Sequence, residues 1–300
     1  MKKKLWLPLW ILGMALALAG CKKEEESASQ PMLEVIEYSN LIGSSATGQL
    51  ETLMTDAGIS KERQHILLEH ISQMNSAVNT EGLAADFETA HIYKTAYAPE
   101  IMQAEWMSRY PNFPGYNSRI TTFCVFGEFL DIPADSLVRD EALALDISAL
   151  QADGSVLMGE DSLQKFKVLY SAIETKKAED TAACVAAVQK DWEERGIKIT
   201  EEDKVRMITV FFPENDELYI GHTGVIFPVE EKKEEVIYFL EKISFQEPYQ
   251  LTRFNNRTEL SDYLMYKYDT SDGQEGAAPF IMENNQLMEG YRLLPQKVEE

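Results

Sequence analysis

The chain has 300 residues, of which 45% are hydrophobic and 26% are charged. Its 50 acidic residues outnumber its 28 basic residues, so the formal net charge is −22. Such a surface repels phosphate backbones and lacks the basic footprint that nucleic-acid binding requires, so we expect no nucleic acid as a partner.

The first twenty-one residues have the pattern of a bacterial lipoprotein signal peptide. Lys2 to Lys4 form a positive region, Leu5 to Leu16 form an apolar region, and Leu18 to Cys21 form a short segment that ends in cysteine. The alternative is a transmembrane anchor, but the apolar run contains Pro8 and is shorter than the roughly 20 residues that a bilayer span needs. We therefore expect removal of residues 1–20 and acylation of Cys21.

The segment after the cleavage point is polar. Residues 21–31 comprise the lipidated Cys21 and "KKEEESASQP", which has the composition of a disordered tether. Loss of three lysines with the signal peptide changes the net charge from −22 to −25. The expected product is a single α+β domain, residues 32–300, which the lipid anchor holds on the extracytoplasmic face of the bacterial cell membrane.

Helix patterns dominate the N-terminal half of this domain. Ser60 is placed to cap one helix, Pro99 to begin another, and Gly58 and Gly196 to end two more. The predicted helices cover residues 47–57, 61–75, 100–109, 118–130, 162–175 and 178–195, with a closing helix at 258–268.

Strand patterns follow in the C-terminal half. The apolar period changes to two in segments 205–212, 218–229 and 236–245, and the charged turn "EEKKEE" joins the last two. No alternating βα series is visible, so a doubly wound sheet is disfavoured. The sequence predicts an α+β fold in which a helical N-terminal half packs on a C-terminal antiparallel sheet.

One predicted helix is apolar on more than one face. Its apolar positions are Ile120, Phe123, Cys124, Phe126, Gly127, Phe129 and Leu130. A helix of this kind must be buried on several sides, so we expect it at the centre of the domain. Asn117 and Ser118 stand at its start, where capping is their ordinary role, although a helix N-terminus can also serve a nucleophile or an oxyanion.

A histidine and a glutamate interrupt two apolar strand faces. Period two places His222 on one face with Leu218, Ile220, Gly224 and Ile226, and places Glu241 on one face with Ile237 and Phe239. A turn centred on Lys232 and Lys233 puts His222 opposite Ile243 and diagonal to Glu241, while a slip of two residues puts His222 directly across from Glu241. Either register brings the carboxylate within reach of the imidazole, as a structural pair or as part of a catalytic site.

Cofactor signatures are missing from the sequence. Cys124 and Cys184 remain after lipidation of Cys21, and their helical patterns favour two buried thiols over a disulfide. The chain has no HExxH motif, no paired-cysteine motif and no glycine-rich phosphate loop, so neither a metal nor another cofactor is expected.

Several long blocks of sequence resemble one family. These blocks include "YPNFPGYNSRIT" at Tyr110, "IGHTGVIFP" at Ile220, "LEKISFQEPYQLTRFNNRTELSDYLMYKYD" at Leu240 and "PFIMENNQL" at Pro279. They closely resemble a family of bacterial lipoproteins catalogued as a domain of unknown function, DUF4300. The resemblance runs over nearly the whole chain after the tether and implies membership, but no established activity.

The family pattern usually reads Asn-Cys-Arg where this chain has Asn117-Ser118-Arg119. A cysteine at a central helix, followed by a strand histidine, is more distantly similar to the layout of papain-like NlpC/P60 cysteine hydrolases. The likeness implies that Ser118 is the nucleophile, His222 the general base and Glu241 the group that orients it. A serine hydroxyl stays protonated where a thiol can ionise, so a serine here would depend on His222 to remove its proton during attack.

Two function classes remain. One is a papain-like amide hydrolase or transpeptidase acting on the cell wall or on a peptide; the other is a non-enzymatic envelope lipoprotein that binds a ligand or a protein partner. Three side chains converging on an open cleft would favour the hydrolase, and a closed His-Glu pair would favour the binding protein.

The first prediction concerns the anchor. Replacement of Cys21 by serine (Cys21→Ser) should abolish incorporation of a palmitate analogue, because the acylated sulfur is lost. Metabolic labelling followed by mass spectrometry of the N-terminal peptide measures this, with Ser27→Ala in the tether as the control that keeps full labelling. Labelling of Cys21→Ser at the wild-type level would contradict the anchor.

Overall fold

The structure is a computed structural model that describes residues 31–92, 97–133, 135–153, 160–175, 180–200, 202–270 and 276–294. Residues from Met32 onward form one compact unit. The predicted signal peptide, Cys21 and nearly all of the tether lie outside the described residues, as do the first two residues of the helix predicted at 178–195. Within the described ranges, no helix has the length and apolar character to cross a membrane.

Eight α-helices occur in the described part of the chain. They are α1 Ser44–Asp56, α2 Lys61–Ala77, α3 Pro99–Arg109, α4 Ser118–Phe126, α5 Ala144–Asp153, α6 Glu160–Tyr170, α7 Thr181–Glu194 and α8 Arg257–Tyr268. Single 3-10 turns follow α4 at Gly127–Phe129 and precede α5 at Glu141–Leu143. As predicted, Pro99 is the first residue of α3, and Gly196 takes a left-handed conformation (φ 70°) just after α7.

Eleven strands lie in the same ranges. They are β1 Val35–Ser39, β2 Glu88–His91, β3 Leu130–Asp131, β4 Ile173–Glu174, β5 Lys198–Ile199, β6 Arg206–Glu214, β7 Glu217–Glu231, β8 Glu234–Lys242, β9 Tyr249–Phe254, β10 Phe280–Glu283 and β11 Gln286–Leu287. Nine form one sheet in the order β11-β10-β6-β7-β8-β9-β1-β2, with β4 beside the start of β7, and every pairing is antiparallel. Strands β3 and β5 form a separate pair.

The α+β prediction is confirmed, with the helices mostly N-terminal and the sheet mostly C-terminal. Helices α1 to α7 pack on one face of the large sheet around the larger apolar core. Helix α8 covers the opposite face over a smaller core. Helix α4 is buried along most of its length and contacts β6, β7 and β8 on one side and α2 and α5 on another, so it is the predicted central element.

Some element boundaries were wrong. The helix predicted at 162–175 ends at Tyr170, and Ile173–Glu174 forms strand β4 because these residues pair with Leu218 and Glu217 of β7. The strand predicted at 236–245 ends at Lys242. Only β6, β7 and β8 of the large sheet were predicted. Strand β1, which was not, brings the start of the domain into this sheet between β9 and β2.

A β-bulge in β7 changes the predicted strand faces. Val210 of β6 pairs with His222, but the next residue, Phe211, pairs with Ile220, so Gly221 is an extra residue. Ile220 therefore faces the helical core with Phe211, while His222 faces the α8 core with Val210. The expectation that Ile220 and His222 share a face was wrong, because period two fails across a bulge.

Beyond the bulge the β7–β8 register agrees with the first alternative. Glu231 pairs with Glu234 across the Lys232–Lys233 turn, and the pairing continues to Val225 and Leu240. Gly224 is the next residue of β7, just beyond the last pair with β8. A Cβ on Gly224 would lie 2.4 Å from the Phe239 ring and 2.7 Å from the Leu240 carbonyl oxygen. The close approach of these strands therefore requires glycine at this position.

The second prediction tests this close approach. Gly224→Ala should lower the free energy of unfolding by about 1–3 kcal/mol, because the buried Phe239 ring and the β8 backbone must shift. Chemical denaturation measures the change. Gly48→Ala in α1 is the matched control: its Cβ meets no atom within 4 Å, so it should stabilise by about 0.5–1 kcal/mol through helix propensity. Equal effects of the two substitutions would contradict the packing at Gly224.

Candidate functional site

Ser118 begins helix α4, but it is not the residue that caps the helix. Asn117 has the extended backbone of an N-cap (φ −122°, ψ −173°), and its Oδ1 accepts from the backbone N–H of Ile120 at 3.0 Å. Ser118 follows as the first helical residue, and 5% of its surface is exposed. The expectation that Ser118 is itself the cap is therefore corrected, because Asn117 already fills that role.

The two neighbours of Ser118 bind a buried carboxylate on α5. Arg119 donates from Nε to Oδ1 of Asp146 at 2.9 Å and from Nη2 to Oδ2 at 2.8 Å, while Asn117 donates from Nδ2 to Oδ1 at 2.7 Å. Arg119 also donates from Nη1 to the carbonyl oxygen of Ile220 at 2.9 Å. These bonds fix the start of α4 to α5 and to the bulged part of β7.

Sequence reasoning missed Asp146. The available signal was a single carboxylate in the apolar segment "ALDISAL", and such a residue needs a partner once it is buried. The sequence could not identify that partner as Arg119, which is 27 positions away. A bidentate arginine is the geometry that satisfies both carboxylate oxygens.

His222 and Glu241 form a closed pair on the α8 face of the sheet. His222 Nε2 lies 2.7 Å from Glu241 Oε2, and both side chains are almost completely buried. Tyr268 of α8 stacks on the imidazole, with ring centroids 4.5 Å apart and planes 21° apart. The predicted proximity of these two residues is therefore present in the structure.

The second oxygen of Glu241 is also occupied. Tyr263 donates its hydroxyl to Oε1, and Lys267 Nζ lies 3.8 Å from the same oxygen. The Tyr263 hydroxyl in turn accepts from Lys267 Nζ at 2.5 Å and from Gln250 Nε2 at 2.7 Å. Helix α8 thus seals the carboxylate with two of its own side chains.

The electrostatics of this cluster favour an ionised carboxylate. Burial raises the pKa of Glu241, but the charge of Lys267 and the hydrogen bonds from His222 and Tyr263 outweigh burial and lower the pKa to about 2. Burial, and then the charge of Glu241, raises the pKa of Tyr263 well above its ordinary value, so the phenol stays protonated and remains a donor. The cluster is a charge-compensated network within the core.

The structure does not bring Ser118 into this cluster. Ser118 belongs to the helix that packs on the helical face of the sheet, whereas His222 and Glu241 contact α8 on the other face. Thr223, the neighbour of His222, donates to the Ile208 carbonyl at 2.6 Å and belongs to the helical face. A nucleophile must lie within hydrogen-bond reach of its base, and the described contacts contain no such bond between Ser118 and His222.

Four clefts are described, and Ser118, His222 and Glu241 line none of them. The one nearest the cluster is a cavity of about 40 Å³ beside Gln250, Tyr263 and Lys267, with room for ordered water but not for a peptide. The largest, about 740 Å³, lies beside α7 at Arg139 and Asp191. Among the described residues, no group of three or more His, Cys, Asp or Glu is placed to hold a metal ion.

One further buried charge, that of Lys242, also has structural partners. Lys242 donates from Nζ to the carbonyl oxygens of Ser244, at 2.6 Å, and Glu247, and so closes the loop after β8. Burial lowers the pKa of Lys242 to about 7, while Glu247 raises it. Cys124 and Cys184 are buried and are not joined by a disulfide, which agrees with the two-thiol alternative.

The third prediction is that His222 and Glu241 are energetically coupled. A double-mutant cycle with His222→Gln and Glu241→Gln, followed by chemical denaturation at pH 7, should give a coupling energy of about 0.5–3 kcal/mol, because residues in direct contact are not additive. The exposed His65–Glu69 pair, 3.2 Å apart on α2, is the matched control and should couple by less than about 0.5 kcal/mol.

The same variants predict a pH dependence. Because the pKa of Glu241 is lowered to about 2 in the folded state, its ionised form stabilises the fold fully above about pH 4.5, and this contribution is lost as the pH falls toward 2. The ionised carboxylate contributes up to about 3 kcal/mol to the free energy of unfolding. Glu241→Gln should therefore flatten this part of the curve of stability against pH. An unchanged profile in the variant, or strict additivity in the cycle, would contradict the pair.

Comparison with curated proteins and with solved structures gives no match. A family model described as domain of unknown function (DUF4300) matches residues 37–288. This range begins in β1 and ends after β11, so it includes Asp146 with its partners at the start of α4 and the His222–Glu241 pair. The chain therefore belongs to the DUF4300 family.

Proposed function

We propose that this protein is a lipid-anchored component of the bacterial cell envelope whose domain binds a ligand or a protein partner without catalysing a reaction. The observation that carries the proposal is the sealed His222–Glu241 pair. A general base must meet its substrate, but here Tyr268 covers the imidazole and Tyr263 and Lys267 occupy the free carboxylate oxygen.

The arrangement around Ser118 supports the same conclusion. Asn117 and Arg119 both bind Asp146, so the residues that flank the serine hold the helix in place. A hydroxyl is a weak nucleophile unless an adjacent base takes its proton. The expected base, His222, and the group expected to orient it, Glu241, lie on the other face of the sheet. The papain-like hydrolase remains the alternative, and it would require His222 to turn from α8 toward α4.

The proposal also includes the predicted lipid anchor at Cys21. Acylated Cys21, followed by a polar tether, would hold the domain at the extracytoplasmic face of the membrane, where it meets peptides, cell-wall material and other envelope proteins. The net charge of −25 that remains after loss of the signal peptide would make nucleic acid and anionic lipid surfaces poor partners.

The fourth prediction separates binding protein from hydrolase. In a Cys124→Ala, Cys184→Ala background, Ser118→Cys should give a thiol whose pKa is near or above the ordinary value of about 8.5, because His222 faces α8 on the other side of the sheet. The rate of alkylation against pH measures this, with and without His222→Gln. Circular dichroism checks that each variant remains folded.

Ser44→Cys is the control for the helix dipole, because Ser44 is likewise the first helical residue of its helix, α1. We expect the thiol introduced at position 118 to ionise no more readily than this control. A thiol pKa well below the control that rises with His222→Gln would overturn the non-catalytic proposal and favour the hydrolase.

A further inference from the structure

Lys242 is a buried lysine at the end of β8. It is 1% exposed, and its Nζ donates to the carbonyl oxygens of Ser244, at 2.6 Å, and Glu247. A third carbonyl oxygen, that of Phe245, lies at 3.5 Å from Nζ. All three oxygens belong to the loop between β8 and β9, so this loop is folded around the amine.

The amine of Lys242 forms no ion pair within the described part of the chain. Glu247 offers it a backbone oxygen, while the Glu247 carboxylate accepts from the hydroxyl of Tyr97 at 3.2 Å. The Glu247 charge still raises the pKa of Lys242, but burial has the larger effect and lowers it. A lysine charge is therefore buried here without a carboxylate in contact with it.

The other neighbours of Lys242 add no negative charge on its side of the strand. Tyr249 of β9 presents its ring, with the centroid 5.4 Å from Nζ. Helix α4 also packs on β8, but its one charged residue, Arg119, is bound to Asp146. Glu241 precedes Lys242 in β8 and points to the α8 face, where it binds the imidazole.

The hydrogen bonds of the loop match a neutral amine. An ammonium group has three N–H donors and a neutral amine has two, and Nζ has two close carbonyl acceptors, in Ser244 and Glu247. Burial of an unpaired ammonium is costly, and burial lowers the pKa of Lys242 to about 7. A proton on this amine therefore opposes closure of the loop.

The loop forms part of the wall of a small cavity. Ile243, at the start of the loop, and Tyr97, which is bonded to Glu247, both line the cavity of about 40 Å³ beside Tyr263 and Lys267. These last two side chains contact the buried carboxylate of the α8 face. Movement of the loop would therefore widen the way from solvent to that cluster.

We propose that the β8–β9 loop, residues 243–248, is a proton-sensitive latch that closes around neutral Lys242 and is released when the amine is protonated. Release opens the wall of the cavity beside Tyr263 and Lys267. The latch goes beyond the proposed binding role, and its test involves neither Ser118 nor the anchor.

The direction of the pH effect follows from the two states of the loop. In the closed loop the pKa of Lys242 is about 7, whereas opening exposes the amine to water, where a lysine has a pKa of about 10.4. Between these values each opening takes up one proton, so closure strengthens by about tenfold per pH unit as the pH rises. Below about pH 7 both states are protonated, and closure is at its weakest.

The fifth prediction tests the latch by hydrogen exchange on the full chain. The reporters are the amide of Ile243, which donates to the Pro248 carbonyl at 3.3 Å, and those of Gln246 and Glu247, which donate to Ser244 Oγ at 3.2 Å. Their protection factors, corrected for the intrinsic exchange rate, should rise by about tenfold per pH unit from pH 7 to pH 9.

Lys242→Met keeps a side chain of similar length but removes the titrating group, so the protection factors of the loop should no longer change over this pH range. Lys190→Met is the matched control, because the Lys190 side chain is 75% exposed on α7. It should keep the wild-type dependence on pH.

Titration of Lys242 in the wild-type chain, followed through the carbon-13 NMR signal of its Cε, gives a second measurement that needs no variant. We expect a midpoint near pH 7, well below that of Lys190. A midpoint no lower than that of Lys190, loop protection that does not change with pH in the wild type, or an equal change in Lys242→Met would overturn the latch.

Discussion

The extra residue at Gly221 determines which side of the sheet each side chain of β7 faces. Before the bulge, Leu218 and Ile220 point into the helical core; after it, His222 points toward α8. Without the bulge, a strict period of two would put Ile220 and His222 on the same side of the sheet. Either Ile220 would leave the helical core or His222 would leave Glu241. The bulge thus allows β7 to place side chains in the helical core before Gly221 and beside α8 at His222.

Each core contains a buried carboxylate with a full set of partners. Asp146 accepts from Arg119 and Asn117 on the helical side, and Glu241 is bound by His222 and Tyr263 on the α8 side. Burying such charges rarely adds net stability over apolar packing, but loss of one partner is strongly destabilising. In this fold the two clusters specify where α4 and α8 dock, because a displaced helix would leave a charge unpaired.

The sequence predicted those features that have a local cause. Pro99, Gly196 and the Lys232–Lys233 turn each act within a few residues, and they correctly indicated a helix start, a helix end and the turn between β7 and β8. Of the two registers left open, the structure has the one centred on that turn. Long blocks such as "IGHTGVIFP" indicated the family correctly. The proximity of His222 to Glu241 also followed, because both candidate registers brought the two side chains together.

The remaining features depend on contacts between distant residues. The Gly221 bulge has no signal in hydrophobic period, since glycine has no side chain to mark a face. Asp146 could be recognised as unusual, but its partner Arg119 lies in another helix. A site assembled from separate elements is therefore visible only in the folded chain.

The position of β1 also constrains the order in which the domain can assemble. Of the described strands, β1 is synthesised first, but one of its two partners is β9. Tyr38 therefore cannot pair until Thr252 has been synthesised. The β1–β2 ribbon alone is only marginally stable. Helices α1 to α7 expose their apolar faces until strands β6 to β9 have been synthesised and can pack on them. Folding therefore depends on late, long-range pairing, which is slow and leaves the early helices vulnerable to aggregation. A chain interrupted before Phe254 would contain the helical layer without the complete sheet that covers it.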